Sequence, residues 1–131
     1  MWDYSKKAIT SGNIRCVQSL IAQGANVLTK TASGLSSLHL ACLSLEVKIL
    51  QFLLSTIRNE SEEEEEILEI YNEPDSLGRT ALHVAAFKKM TNQSQSLVGL
   101  LLKAGCSIDI QDNRGRSPLF WYIFSFSSSL G

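Results

Sequence analysis

Two histidines, three cysteines and a run of five glutamates are the residues of this 131-residue chain whose chemistry could go beyond packing. His39 and His83 could exchange protons with a substrate. Cys42 lies close to His39 in sequence, and a thiol beside an imidazole can be a nucleophile. Such a site also needs a carboxylate to orient the base, and all three groups must converge in an open cleft. The glutamate run, Glu62 to Glu66, could hold a cation, but it lacks the spaced oxygen ligands and the glycine of a calcium loop. The cysteines, Cys16, Cys42 and Cys106, are odd in number and widely spaced. They suggest neither a disulfide framework nor a paired-thiolate metal site. No cofactor is expected.

The two histidines stand in the same local setting. One occurs in "GLSSLHLAC", residues 34 to 42, and the other in "GRTALHVAA", residues 78 to 86. In both, a glycine precedes a hydroxyl residue by two positions, and the histidine follows that hydroxyl by three. Glycine suits a turn with positive φ, and Ser36 or Thr80 suits a helix N-cap. An imidazole three residues into the helix can bond the cap hydroxyl and the adjoining turn. Repetition of one structural position explains two such histidines better than catalysis does.

Laying the chain over itself extends the pattern. "NRGRSPLFWYIF", residues 113 to 124, begins a further copy, and "AITSGNIRCVQSLIAQGANV", residues 8 to 27, ends an earlier one. Ser117 and Asp3 take the cap place in those copies, and Pro118 takes the first helical place, where its missing N–H costs little. A second helix carries Leu97, Val98, Leu100, Leu101 and Leu102. Its counterparts are Ile49, Leu50, Phe52, Leu53 and Leu54, and earlier Val17, Leu20 and Ile21. Gly24 and Gly105 close these helices. The glycines Gly34, Gly78 and Gly115 are spaced 44 and 37 residues apart.

"DSLGRTALHVAA", residues 75 to 86, resembles the ankyrin repeat, whose pattern runs D-x-x-G-x-T-P-L-H-x-A-A, then a second helix ending in L-L, then G-A. "GLSSLHLAC" and "DNRGRSPL" are similar to the same pattern, the latter with Phe120 in the histidine place. The resemblance implies an all-α solenoid of stacked helix-turn-helix units with projecting turns or short hairpins. The units expected are 1–28, 29–74, 75–111 and a partial 112–131. It also implies a structural role for the histidines and a concave face of turn tips and first helices that binds other proteins. The positions matching that face are Leu35, Leu43 and Ser44, then Leu77, Arg79, Phe87 and Lys88, then Asn113, Arg114 and Arg116. The arginines would supply charge-assisted contacts and the apolar residues the buried ones.

Two segments exceed the pattern, whose period is about 33 residues. The first, within 57–74, holds the glutamates. Charges so dense stay solvated, so a flexible acidic loop is expected, either idle or docking a basic segment at Glu62–Glu66. "ILEIYN", residues 67 to 72, is expected to return as a short strand. The second, "KKMTNQSQS", residues 88 to 96, is expected as a polar surface loop. The three cysteines fall on apolar repeat positions and are expected as small buried fillers. Lys6 and Lys7 make the first helix polar, as at the capped end of a stack. The aromatic end, "LFWYIFSF", residues 119 to 126, suggests an incomplete unit or a surface for self-association.

Composition sets the outer limits. Hydrophobic residues are 44% of the chain, enough for a core, and the net charge of −1 announces no nucleic-acid partner. No apolar run approaches the ~20 residues of a membrane span. The start of the chain lacks the order of a secretion signal, and the cysteine usage suits a reducing, intracellular setting, cytoplasmic or nuclear. The expected activity is non-catalytic protein binding, with self-association or a role within a larger protein as the alternative.

Overall fold

The computed structural model describes residues 2–87 and 91–123. Seven helices run in order: α1 (Trp2–Thr10), α2 (Ile14–Ala22), α3 (Ser37–Leu43), α4 (Val47–Glu60), α5 (Glu64–Tyr71), α6 (Ala81–Phe87) and α7 (Asn92–Ala104). Residues 118–123 are helical as well, and no strand occurs among the described residues. The helices pair as hairpins, α1 with α2, α3 with α4 and α6 with α7. The first helices form one layer, α1 on α3 on α6. The second helices form another, α2 on α4 on α7.

The short first helices owe their form to caps and small side chains. Ser36 accepts from the His39 N–H at the start of α3, and Thr80 accepts from the His83 N–H at the start of α6. Ala41, Ala81 and Ala85 are buried between layers, where a side chain of one carbon lets helices approach closely. The longer second helices supply the bulk. Ile49, Leu50, Leu53, Leu97 and Leu101 are all fully buried. Removing such a side chain costs about 2–5 kcal/mol, because the cavity refills only in part.

The acidic insertion is a helix, which corrects the expectation of a loop and a returning strand. Glu64, Glu65 and Glu66 occupy the first turn of α5, where carboxylates meet the positive end of the helix dipole. The same charges that repel each other are therefore favoured in place. Ile67 and Tyr71, one helical turn apart, are buried. The Tyr71 hydroxyl donates to the Leu54 carbonyl at 2.6 Å. Arg58 donates to Glu64 at 2.9 Å, and Asn72 accepts from the Ser107 N–H at 2.9 Å. The insertion thus braces α4 and the turn that follows α7.

Three smaller expectations are also corrected. Thr91 caps α7 in a reciprocal box with Ser94, so residues 92–96 are helical rather than loop. Asp3 falls inside α1 and not at its cap, because the helix already runs from Trp2. Cys42 and Cys106 are buried, but Cys16 is exposed on the outer side of α2. Lys88, Lys89 and the aromatic residues beyond Ile123 lie outside the described residues.

Candidate functional site

The turns between units are built alike. Asp75 accepts from the N–H groups of Leu77 and Arg79 at 2.9 and 2.8 Å. Asp112 accepts from those of Arg114 and Arg116, both at 2.9 Å. Thr31 does the same for Leu35 at 3.1 Å. Burial alone would raise both aspartyl pKa values, but the donating N–H groups carry them below the ordinary carboxylate value. The turn tips also touch. The Ser76 N–H donates to the Ser33 carbonyl, and the Asn113 N–H to the Leu77 carbonyl, each at 3.0 Å. Gly34 and Gly78 adopt φ of 80° and 78°, and a Cβ on Gly78 would lie 2.8 Å from the Asn113 nitrogen.

The histidines join these turns to the helices. Nδ1 of His83 lies 2.9 Å from the Thr80 hydroxyl, and its Nε2 lies 2.8 Å from the Arg116 carbonyl. His39 repeats the arrangement, with Ser36 at 2.8 Å and the Arg79 carbonyl at 2.6 Å. A carbonyl only accepts, so Nε2 carries the proton and Nδ1 is the bare acceptor. Burial pushes both imidazoles below their ordinary pKa of 6.5, outweighing the bond to the carbonyl. Both nitrogens of each ring are committed, which leaves neither free to move a substrate proton. Cys42 is fully buried, and burial pushes its thiol well above the ordinary range. No group of three or more His, Cys, Asp or Glu side chains is placed to hold a metal among the described residues.

Beside the turns opens a groove of about 440 Å³. Seven of the ten positions matched to the binding face line it: Leu43, Leu77, Arg79, Phe87, Asn113, Arg114 and Arg116. Val84 and Trp121 complete its wall with His83 and Asp112. Leu35 is half-buried and packs on the core, and Ser44 closes the end of α3. Neither lines the groove, and Lys88 lies outside the described residues. Glu62–Glu66 are exposed on and before α5 and do not line it either.

Charge and apolar surface alternate inside the groove. Arg79 grips buried Asp75 through Nε at 2.9 Å and Nη2 at 2.8 Å. Arg116 faces Asp112 with Nε at 3.4 Å, an ion pair without a hydrogen bond. Its guanidinium lies 4.3 Å from the centre of the Trp121 ring, a cation–π contact. Phe87 meets the same ring edge-on at 4.8 Å. Trp121 was missed in the sequence because it sits one place past the histidine slot, in a stretch without charge. Leu77 and Phe87 are more than half exposed, at 55% and 56%.

A second apolar surface, of about 300 Å³, lies at the far end of the stack between Leu82, Val98, Leu102, Ile108, Leu119 and Tyr122. Leu54 of α4 is 7% exposed, whereas its counterpart Leu102 of α7 is 45% exposed. Both α5 and α7 pack against α4. No helix among the described residues is long and apolar enough to cross a membrane.

Known proteins are similar to this chain in sequence or in fold. Over 55 residues, 42% of this chain, the sequence is 38% identical to an intracellular phospholipase A2 of Caenorhabditis elegans, and the match spans 5% of that protein's length. A chain in the crystal structure of the yeast ribosomal protein Rps3 in complex with its chaperone Yar1 has the same fold. The TM-score is 0.83 at 19% identity, covering 98% of this chain and 86% of that one. The family model described as Ankyrin repeats (3 copies) matches residues 6–112. With caps, histidine bridges and turn glycines recurring in register beneath that match, the chain belongs to the ankyrin-repeat family.

Proposed function

We propose that this chain is a non-catalytic module that binds a partner protein in the groove between Leu43 and Trp121. The observation that carries the reading is the groove itself. It gathers three arginines and several exposed apolar side chains on one surface, with the turn carboxylates and both imidazoles already hydrogen-bonded behind it. The chaperone complex with a ribosomal protein supplies a case of this fold within a protein–protein assembly. The contacts assigned to this role are Leu43, Leu77, Arg79, Phe87, Asn113, Arg114 and Arg116, with Leu35, Ser44 and Lys88 at the margin. The units assigned are 1–28, 29–74, 75–111 and 112–131. Three free cysteines fit a reducing, intracellular setting.

The test is affinity capture from a cell lysate with the native chain beside a Leu77→Asp/Arg114→Glu variant. Both changes are on exposed side chains, so the fold is expected to survive. Proteins retained by the native chain and lost by the variant support the groove. Identical retention by both sinks it.

A second reading is favoured by the uncovered apolar end at Leu102, Ile108, Leu119 and Tyr122. There the chain associates with another copy or with a further helix pair of a larger protein. Light scattering on the native chain and on Leu119→Glu tests it. A larger species that reverts to monomer with the variant supports self-association, and a native monomer removes self-association and leaves the helix pair.

A further inference from the structure

From the groove's charge and shape we infer the chemistry of its occupant: a linear peptide segment that pairs a carboxylate with a bulky apolar side chain. The inference rests on reading the groove as the binding face and goes further by naming what it selects. Of the groove's lining side chains, three are cationic and one, Asp112, is anionic. Asp112 is buried and turned inward, where it accepts from the N–H groups of Arg114 and Arg116. Arg79 is already clamped to Asp75. Arg114 is exposed and, among the described residues, has no side-chain acceptor. The terminal amines of Arg116 likewise have none, although Trp121 holds its guanidinium plane in place. The Arg114 guanidinium and the outer edge of Arg116, whose Nε alone faces Asp112, are thus open to an incoming carboxylate, and the second is pre-oriented. Such a fork recognises a carboxylate by paired, charge-assisted hydrogen bonds.

The apolar half of the occupant follows from Leu77 and Phe87. Both are over half exposed on the same wall, and a Leu, Ile, Met or Phe side chain laid across them would remove that surface from water. A nucleic acid fits less well. One face of Trp121 is already covered by Arg116 at 4.3 Å, so that face offers no platform for a base. The cations form a cluster rather than a stripe along which phosphates could run.

The experiment selects a phage-displayed library of random dodecapeptides on the immobilised chain. A selected peptide, labelled with fluorescein, is then titrated against Arg114→Glu, Leu77→Ser and the native chain. The inference expects Asp or Glu within a few residues of a bulky apolar side chain. It expects affinity to fall about tenfold or more with Arg114→Glu, a charge-assisted contact being worth at least that factor. It also expects a loss with Leu77→Ser and weakening with added salt. Peptides weakened by Leu77→Ser but indifferent to Arg114→Glu keep the groove and overturn the carboxylate. Peptides indifferent to both changes overturn the groove as the binding face. Basic peptides, a library without binders, or displacement of the peptide by poly-uridylate at equal concentration each overturn the inference as well. Circular dichroism of both variants confirms that a loss of binding is not a loss of fold.

Discussion

His83 reaches out of its own unit and holds the next one: its Nε2 donates to the Arg116 carbonyl at 2.8 Å. The same ring takes a hydrogen bond at Nδ1 from the Thr80 N–H at 3.0 Å. One side chain therefore satisfies a buried donor in its own cap and a buried acceptor in the turn ahead. His83→Ala removes both partners and is expected to cost about 2–4 kcal/mol, since each stranded polar group costs on the order of 1–3 kcal/mol. Urea unfolding followed by circular dichroism reads it. A cost under about 0.5 kcal/mol would mean that the bridge contributes nothing measurable.

Acid should loosen the stack in two stages. Both histidines have folded pKa values below 6.5. The unfolded chain then binds more protons as pH falls below that value, and stability declines. Their contribution is present above about pH 6.5 and is lost as pH falls through the depressed folded values. Asp75 and Asp112 are also lowered, from 3.8, so their share is lost only below that. Melting temperature measured across pH 8 to 3 should fall first with the histidines and again with the aspartates. Replacing both histidines should abolish the first decline; its persistence in that variant would assign it elsewhere.

Glycine is required differently at two equivalent turns. Gly78 and Gly115 share positive φ, at 78° and 75°. A Cβ at Gly78 would strike the Asn113 backbone at 2.8 Å, whereas one at Gly115 meets nothing within 4 Å. Gly115→Ala should cost only the backbone term, about 1–2 kcal/mol. Gly78→Ala should cost more, because the next turn must also shift. Equal losses in parallel denaturation curves would show that the turn tips do not press on each other.

The inserted helix should behave as part of the core. Ile67 is 2% exposed, so Ile67→Ala is expected to destabilise by about 2–4 kcal/mol. Tyr71→Phe keeps the ring but removes the hydroxyl that donates to the Leu54 carbonyl, for about 1 kcal/mol. Hydrogen exchange should show amides of α5 protected together with those of α4. Rapid exchange throughout α5 would contradict the docked helix.

The three thiols should separate by access. Cys16 is exposed, and Cys42 and Cys106 are buried; burial pushes the Cys106 thiol up to about 12. Only a thiolate attacks a disulfide reagent. One thiol per chain should therefore react with an aromatic disulfide under native conditions, and all three in denaturant. Three fast equivalents in the native protein would refute the buried placements.

Much of this architecture was legible because a repeated motif states each position more than once. The cap hydroxyls and the turn glycines could be read from two copies and checked on a third, and the histidines could be read from two. The role of His39 and His83 followed from their equal distance from Ser36 and Thr80. The insertion was misread for a physical reason. Five adjacent glutamates signal repulsion in isolation, but Glu64, Glu65 and Glu66 fall on a helix N-terminus, and Ile67 and Tyr71 bury against α4. Neither fact is visible without knowing where that helix begins. Cys16 was misplaced because the repeat names its slot as apolar, while the outer side of α2 has no neighbour to cover it. In the groove, seven of the expected residues came together. Trp121 could not be foreseen, since its contact with Arg116 depends on how the chain leaves the last described turn.

Each imidazole fastens the turn ahead of it and never the one behind. The linkage therefore has a direction, like shingles nailed through their upper edge. Prying away a later turn strands a ring nitrogen in a dry interior, while the earlier cap stays closed. At Phe120 the nail is absent, for a phenyl ring has no proton to offer. Fraying that begins there can advance towards the first helices only by pulling out His83 and then His39, one fastening at a time.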